Sequence, residues 1–289
     1  MLRRGDFSGG EDDREVTVYS AASPLRRPRQ FGRVLRQDLS TSRGLAWRLF
    51  VRDVRSQHRR SLLGYLWILL PVLASSFVWV FLDDQGVIDT EHGDVSYGVF
   101  VLIGTSLWQG FVDGLNVPFT KLDIAQGMIT KYKVPPEALV MTGILEVALS
   151  QTVRMALVAI VALVAGVDSS ALVLLVPLGV LALVLLGVEI GSFLAPFGLL
   201  YKDVPRAVQI LTMVWFFVTP IIYSSSDAPK LDALNPVSIL LVACRDLVLG
   251  EHAPLALAAG WSIAIVALLP FTFALYRLAT PHLVDRAVS

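Results

Sequence analysis

The chain has 289 residues, 55% of them apolar and only 17% charged, with a mean hydropathy of +0.65. That balance excludes an ordinary soluble domain, which carries more charge and breaks its apolar runs sooner. Formal net charge is zero, but 14 of the 24 Lys and Arg residues precede Ser61, and a single cysteine, Cys244, excludes an internal disulfide.

Residues 1–42 are polar and rich in Arg, Pro, Gly and Ser, with LRRPRQ at Leu25–Gln30, and predict a disordered cytoplasmic tail. No apolar h-region lies near the N-terminus, so the first span is expected to direct insertion. Ser42 suits the N-cap of a helix over 44–60. On that helix Trp47, Phe50, Val51 and Val54 fall at i, i+3, i+4 and i+7, while Arg48, Arg52, Arg55 and Arg59 fall opposite. The pattern predicts a helix lying in the membrane interface, arginines among lipid phosphates. An ordinary charged anchor before a span would carry the basic residues but needs no such apolar face.

Six runs are long enough for a bilayer that takes about 20 helical residues to cross. They are 62–82, 97–115, 138–167, 171–200, 207–223 and 254–279. The third and fourth are long and predict a hairpin turning at Gly166, Asp168 and Ser169; the fifth is short. Within Leu231–Gly250, Pro236 interrupts the apolar run early and Arg245-Asp246 late, leaving too little to cross. It reads either as a re-entrant segment, a natural gate, or as a surface amphipathic helix.

Lys and Arg set the orientation. With the N-terminus inside, 21 of the 24 lie on the inner side; Lys230 and Arg245 lie outside and Arg154 in a span. The first outer loop, Asp83–Asp94, holds five acids and no base. The expected fold is therefore an all-α membrane protein of six spans with both ends cytoplasmic. Small residues pair as Gly110-xxx-Gly114 and Gly187-xxx-Gly191, which suits close helix approach within the chain or across a dimer.

Three ionisable residues sit deep in apolar context: Glu146 and Arg154 in the third span, Glu189 in the fourth. A charge at mid-membrane costs on the order of 2.5–3.5 kcal/mol, so each should face protein or water. Arg154 is placed to pair with Glu189 across the hairpin. The set reads as the polar lining of a path or as an ion pair holding two helices in register. Asp113, near a span end, can reach water. The four histidines lack metal-ligand spacing, and no phosphate loop, G-x-S-x-G or H-E-x-x-H motif occurs. Any energised work therefore needs a nucleotide-binding partner. The loop 118–137 carries an apolar face, Ile124, Met128, Ile129 and Tyr132, and ends at Pro135-Pro136. It suits docking into a groove on such a partner, or serves as a connector.

Four stretches together resemble the membrane subunit of bacterial polysaccharide ABC exporters, which move O-antigen, capsule, teichoic acid and related lipid-linked glycans. These are Arg52-Asp53 through Ser61-Leu62-Leu63-Gly64 with Trp67 and Pro71; Ile129 to Pro135; Tyr201-Lys202-Asp203-Val204; and Thr219-Pro220-Ile221-Ile222-Tyr223 followed by Asn235-Pro236 and Arg245. They run in order from about Arg43 to the C-terminus. The long tail, Glu189 and the doubled proline at 135–136 depart from the pattern and bear on the substrate.

The resemblance implies a homodimer in the bacterial inner membrane with two copies of a separate ATPase that binds ATP and Mg; none is bound by this chain, and no nucleic acid is implied. Ile129, Thr130, Lys131, Tyr132 and Lys133 would couple to the ATPase. The interface helix would frame admission of the lipid-linked glycan, and Asn235, Pro236 and Arg245 would belong to the extracytoplasmic gate. Sugar faces pack on flat rings, so Trp79, Phe81, Trp108, Phe111, Trp215, Phe216 and Tyr223 are channel-lining candidates; interfacial belt anchoring is the plainer role for the same residues. A drug or small-lipid exporter shares the six-span plan, but the basic helix running into SLLGYLW argues against it. An ATP-independent intramembrane enzyme or scaffold would rest on the Glu146, Arg154, Glu189 set and lacks a recognisable nucleophile.

Overall fold

The computed structural model describes residues 42–56, 64, 66–86, 96–129, 136–224 and 234–288. All regular structure among them is helical. In chain order the elements are α1 (42–56), α2 (Leu66–Asp84), α3 (Tyr97–Ile129), α4 (Pro136–Val164), a 3-10 turn (Ala171–Leu175) leading into α5 (Val176–Leu200), α6 (Asp203–Val218), α7 (Pro236–Leu249) and α8 (Leu255–Val288). The tail before Ser42, Arg59, the first outer loop from Val87 to Val95, Thr130 to Lys133, and Lys230 lie outside the described residues.

Five helical stretches are long and apolar enough to cross a membrane: Leu66–Asp84, Tyr97–Ala125, Glu137–Val164, Ala171–Leu200 and Leu255–Tyr276. The run expected as a fifth crossing, 207–223, is only partly helical. Its helix, α6, has 16 residues and stops at Val218. Thr219 is extended (φ −87°, ψ 134°), as a residue before proline prefers, and Pro220 ends the helix.

The bundle is built around α3. Its membrane stretch is 78% buried, against 11% for α2 and 6% for α8. It is also the least apolar of the five, as expected where lipid bathes the outside and polar side chains are kept within. α3 runs on unbroken to Ile129. The segment expected as a loop from Pro118 is thus helical over its first half, with Pro118 accommodated inside the helix.

α5 packs closely along α3 because glycines remove the side chains between them. A Cβ on Gly114 would strike the Val184 carbonyl; on Gly187, the Phe111 carbonyl and Leu115 N–H; on Gly191, the Leu115 carbonyl. Both small-residue pairs thus serve packing within the chain, although Gly110 faces the Gln151 side chain of α4 instead. Two side-chain hydroxyls tie α2 to α3. The Thr105 hydroxyl donates to the Val101 carbonyl at 2.7 Å, and Ser76 donates to Thr105 at 3.1 Å.

The α4–α5 turn lies where the sequence places it. α4 ends at Val164, Gly166 takes a left-handed φ of 71°, and Ser169 donates from its hydroxyl to the Val248 carbonyl of α7 at 2.5 Å. α7 is the 14-residue helix inside the interrupted run 231–250, and Val237 to Leu249 are all buried. That excludes a surface amphipathic helix.

α1 docks on α4 by a face the apolar pattern did not pick out. Ser42 and Ala46 are buried, and the Thr142 hydroxyl, which donates to the Ala138 carbonyl of its own helix at 2.8 Å, lies 3.3 Å from the Ala46 carbonyl. Trp47 stays 56% exposed with its ring 5.5 Å from Phe50. Arg52 pairs with Asp53 at 2.9 Å, Arg48 donates to the Gly44 carbonyl, and Arg55 is exposed. The mixed arginine and aromatic surface is therefore left outward.

Candidate functional site

α2, α3 and α6 enclose a groove of about 400 Å³. Trp79, Trp108, Phe216 and Phe217 give it aromatic walls, and Ser75, Gln109, Asn116, Gln209 and Thr212 give it hydroxyl and amide groups. The rings hold each other. Trp79 stacks on Phe216 at 6.1 Å, and Trp108 meets Phe216 edge-on at 5.8 Å. Such geometry is worth about 0.5–1.5 kcal/mol per pair beyond the area buried. Broad flat rings interspersed with amides are a surface for a ligand with apolar C–H faces and many hydroxyls.

Of the seven channel-lining candidates, Trp79, Trp108 and Phe216 line this groove. Phe111 does not: it is wholly buried in the core, between Trp108 at 5.3 Å and Trp215 at 5.3 Å. Trp215 faces an apolar hollow between α3, α5 and α6. Phe81 is 52% exposed on α2. Tyr223 turns back and donates from its hydroxyl to the Val218 carbonyl at 3.0 Å. Phe217, part of the groove, follows Phe216 in sequence and was not singled out.

Behind the groove Arg154 and Glu146 are paired, in an arrangement different from the expected one. Arg154 does not reach Glu189. Its Nη2 lies 2.7 Å from Asp113 Oδ2, Nη1 donates to Gln151 Oε1 at 3.1 Å, and Nε donates to the Ile68 carbonyl at 3.5 Å. Glu146 takes both contacts from Lys121 Nζ, at 2.7 and 2.8 Å. α4 presents these residues to α3, the span before it, and not to α5, the span after it. Glu189 sits buried on α5, and its Oε1 has no hydrogen-bond partner among the described residues. Asp113, which the sequence left to water, is the partner of Arg154.

At the end of the bundle where α3 begins, Asn235 and Arg245 converge on the segment after α6. Asn235 caps α7, accepting from Val237 N–H at 3.1 Å, and its amide donates to the Thr219 hydroxyl at 3.2 Å. Pro236 follows at the first helical position, where its missing N–H costs nothing. Arg245 is 2% exposed. It donates to the Pro220 carbonyl at 2.7 Å and stacks over the Phe100 ring at 4.1 Å. The Tyr97 hydroxyl donates to the Ile222 carbonyl at 3.1 Å, and Ile221 is fully buried against Gly104. Non-helical backbone survives here because side chains satisfy its carbonyls.

Ile129 closes α3; the remaining residues expected to couple to an ATPase, Thr130 to Lys133, are those outside the described residues.

Stacked apolar helices with paired internal charges define a multi-pass helical membrane protein. Within that class the chain is similar to permease proteins of O-antigen export systems. With the O-antigen export system permease protein RfbA of Myxococcus xanthus it is 24% identical over 226 residues, 75% of this chain and 84% of the relative. Two such proteins of Klebsiella pneumoniae are 24% and 23% identical over 239 residues, 79% of this chain and 91% of each relative. The resemblance read from four short stretches thus extends over most of the chain. No family model matches it.

Proposed function

We propose that this chain is the membrane subunit of an ATP-driven exporter that carries a lipid-linked cell-envelope glycan, such as O-antigen, capsule or teichoic acid, outward across the inner membrane. The observation that carries this reading is the groove between α2, α3 and α6, with its stacked rings and amides. The similarity to O-antigen export permeases supports it. Two copies would face each other across the glycan path. Two ATPase subunits would bind at the loop after α3, through Ile129 to Lys133.

The topology in this reading has six crossings with both termini cytoplasmic. α6, about 24 Å long at 1.5 Å per residue, would complete its crossing through the non-helical segment from Thr219 to Tyr223. α7 would re-enter from the outer side and hold that segment as the gate. The enzyme or scaffold alternative rests on Glu146, Arg154 and Glu189 acting together; Glu146 pairs with Lys121 and Arg154 with Asp113, which favours the transport reading.

Native mass spectrometry of the full chain, extracted gently from its own host, tests the reading. The expected mass is two copies of this chain with two of a nucleotide-binding protein. A chain that travels alone, or with a glycosyltransferase and no ATPase, would overturn it.

A further inference from the structure

Two amides of α3 face the groove, and each is turned by a hydrogen bond. Asn116 donates to the Val112 carbonyl of its own helix at 2.8 Å. Gln109 donates from Nε2 to Asp113 Oδ1 at 2.8 Å. The second oxygen of Asp113 binds Arg154 at 2.7 Å. Arg154 is itself held by Gln151 on α4, and Gln151 donates to the Ser106 carbonyl of α3 at 3.0 Å. An ionised carboxylate accepts and never donates. Asp113 can therefore hold only the NH₂ end of Gln109, which leaves the amide oxygen for the groove.

We propose that Asp113 and Arg154 are positioning residues that orient Gln109, so that the groove presents a carbonyl acceptor to a hydroxyl of the passing glycan. The inference rests on the groove being the glycan path. It makes the buried ion pair more than a tie between helices: the charge of Asp113 decides which end of a neutral amide meets the ligand. Asp113→Asn keeps the shape and an acceptor for Arg154, but an amide can also donate, so the orientation of Gln109 is no longer set.

The test uses the full chain in lipid nanodiscs and the glycan released by mild acid from the surface of its own host. Binding is read from the emission of the groove tryptophans. Asp113→Asn and Gln109→Leu should each raise the midpoint roughly fivefold, as for one neutral hydrogen bond, and the double variant should go no further. Should Asp113→Asn fail to fold, Gln109→Glu, whose ionised carboxylate offers only acceptor oxygens in any orientation, should keep the midpoint near the wild-type value where Gln109→Leu raises it. An Asp113→Asn shift that persists undiminished beside Gln109→Leu overturns the proposal, as does a Gln109→Glu midpoint raised as far as that of Gln109→Leu. If neither Asp113→Asn nor Gln109→Leu shifts the midpoint while Trp79→Ala abolishes the response, the groove binds glycan but Gln109 does not read it, and only this inference falls. If glycan leaves wild-type emission unchanged and Trp79→Ala exports normally, the groove is not the path and both readings fall.

Discussion

Arg154 on α4 grips Asp113 on α3 at 2.7 Å, and eight residues along each helix Glu146 and Lys121 meet at the same distance. Equal spacing run in opposite directions puts α3 and α4 antiparallel in unbroken register over about 12 Å. Each pair is largely withdrawn from solvent, so a one-sided change strands a charge.

Glu146→Gln should therefore destabilise the solubilised full chain by on the order of 1–3 kcal/mol, less than for a fully buried pair because Glu146 remains partly exposed. The exchange of Lys121→Glu with Glu146→Lys should recover most of it. Thermal unfolding followed by circular dichroism measures both; a single variant that melts with the wild type would mean the pair contributes nothing.

The α3–α5 seam predicts a sharp contrast among glycines. Gly187→Ala places a methyl into rigid backbone of α3, whereas Gly260→Ala on α8 meets nothing within 4 Å among the described residues. The first should lose at least about 1–3 kcal/mol and most of the folded yield; the second should be neutral or slightly stabilising. Gly110→Ala should fall between, because its neighbour is the end of a side chain. Monodispersity on gel filtration ranks the three.

Phe111 and Phe81 separate core from surface. Phe111→Ala should cost about 3–5 kcal/mol, since its side chain is wholly buried. Phe81→Ala should leave the melting temperature within experimental scatter. Equal losses would place Phe81 against a partner in the folded assembly.

Arg245→Met should free the segment after α6 while leaving α7 helical, because the cap at Asn235 is untouched. A cysteine at Ile221, introduced beside Cys244→Ser, should resist maleimide when Arg245 is present and react quickly when it is Met. Slow labelling in both would show that Tyr97 and Gly104 suffice to hold the segment.

The helices were legible where apolar length alone decides, as in α2, the α4–α5 hairpin with its turn at Gly166, and the membrane part of α8. α3 was read too short. Its second half carries Asn116, Pro118, Lys121 and Asp123, residues that suggest a loop, yet Lys121 is satisfied by Glu146 and the helix continues. The charge pairing was missed for a related reason. Both α3 and α5 flank α4 in sequence; the hairpin turn points Arg154 at α5, but α3 lies at the centre of the bundle and takes it instead. In the groove, Trp79, Trp108 and Phe216 were accessible to a chemical argument about sugars. Phe111 was not separable from them, since burial depends on which face of α3 meets α5 and α6.

The unbroken length of α3 has a mechanical consequence. Its 33 residues make a rod of about 50 Å, braced laterally by ion pairs and a glycine seam. One tip, Tyr97, holds the Ile222 carbonyl; the other, Ile129, is followed in sequence by Thr-Lys-Tyr-Lys-Val-Pro-Pro. A rod so braced resists bending, so displacement at one tip arrives at the other as a tilt. In the proposed exporter, work done on one face of the bilayer would be delivered to the other by leverage, with no chemical signal passing between them.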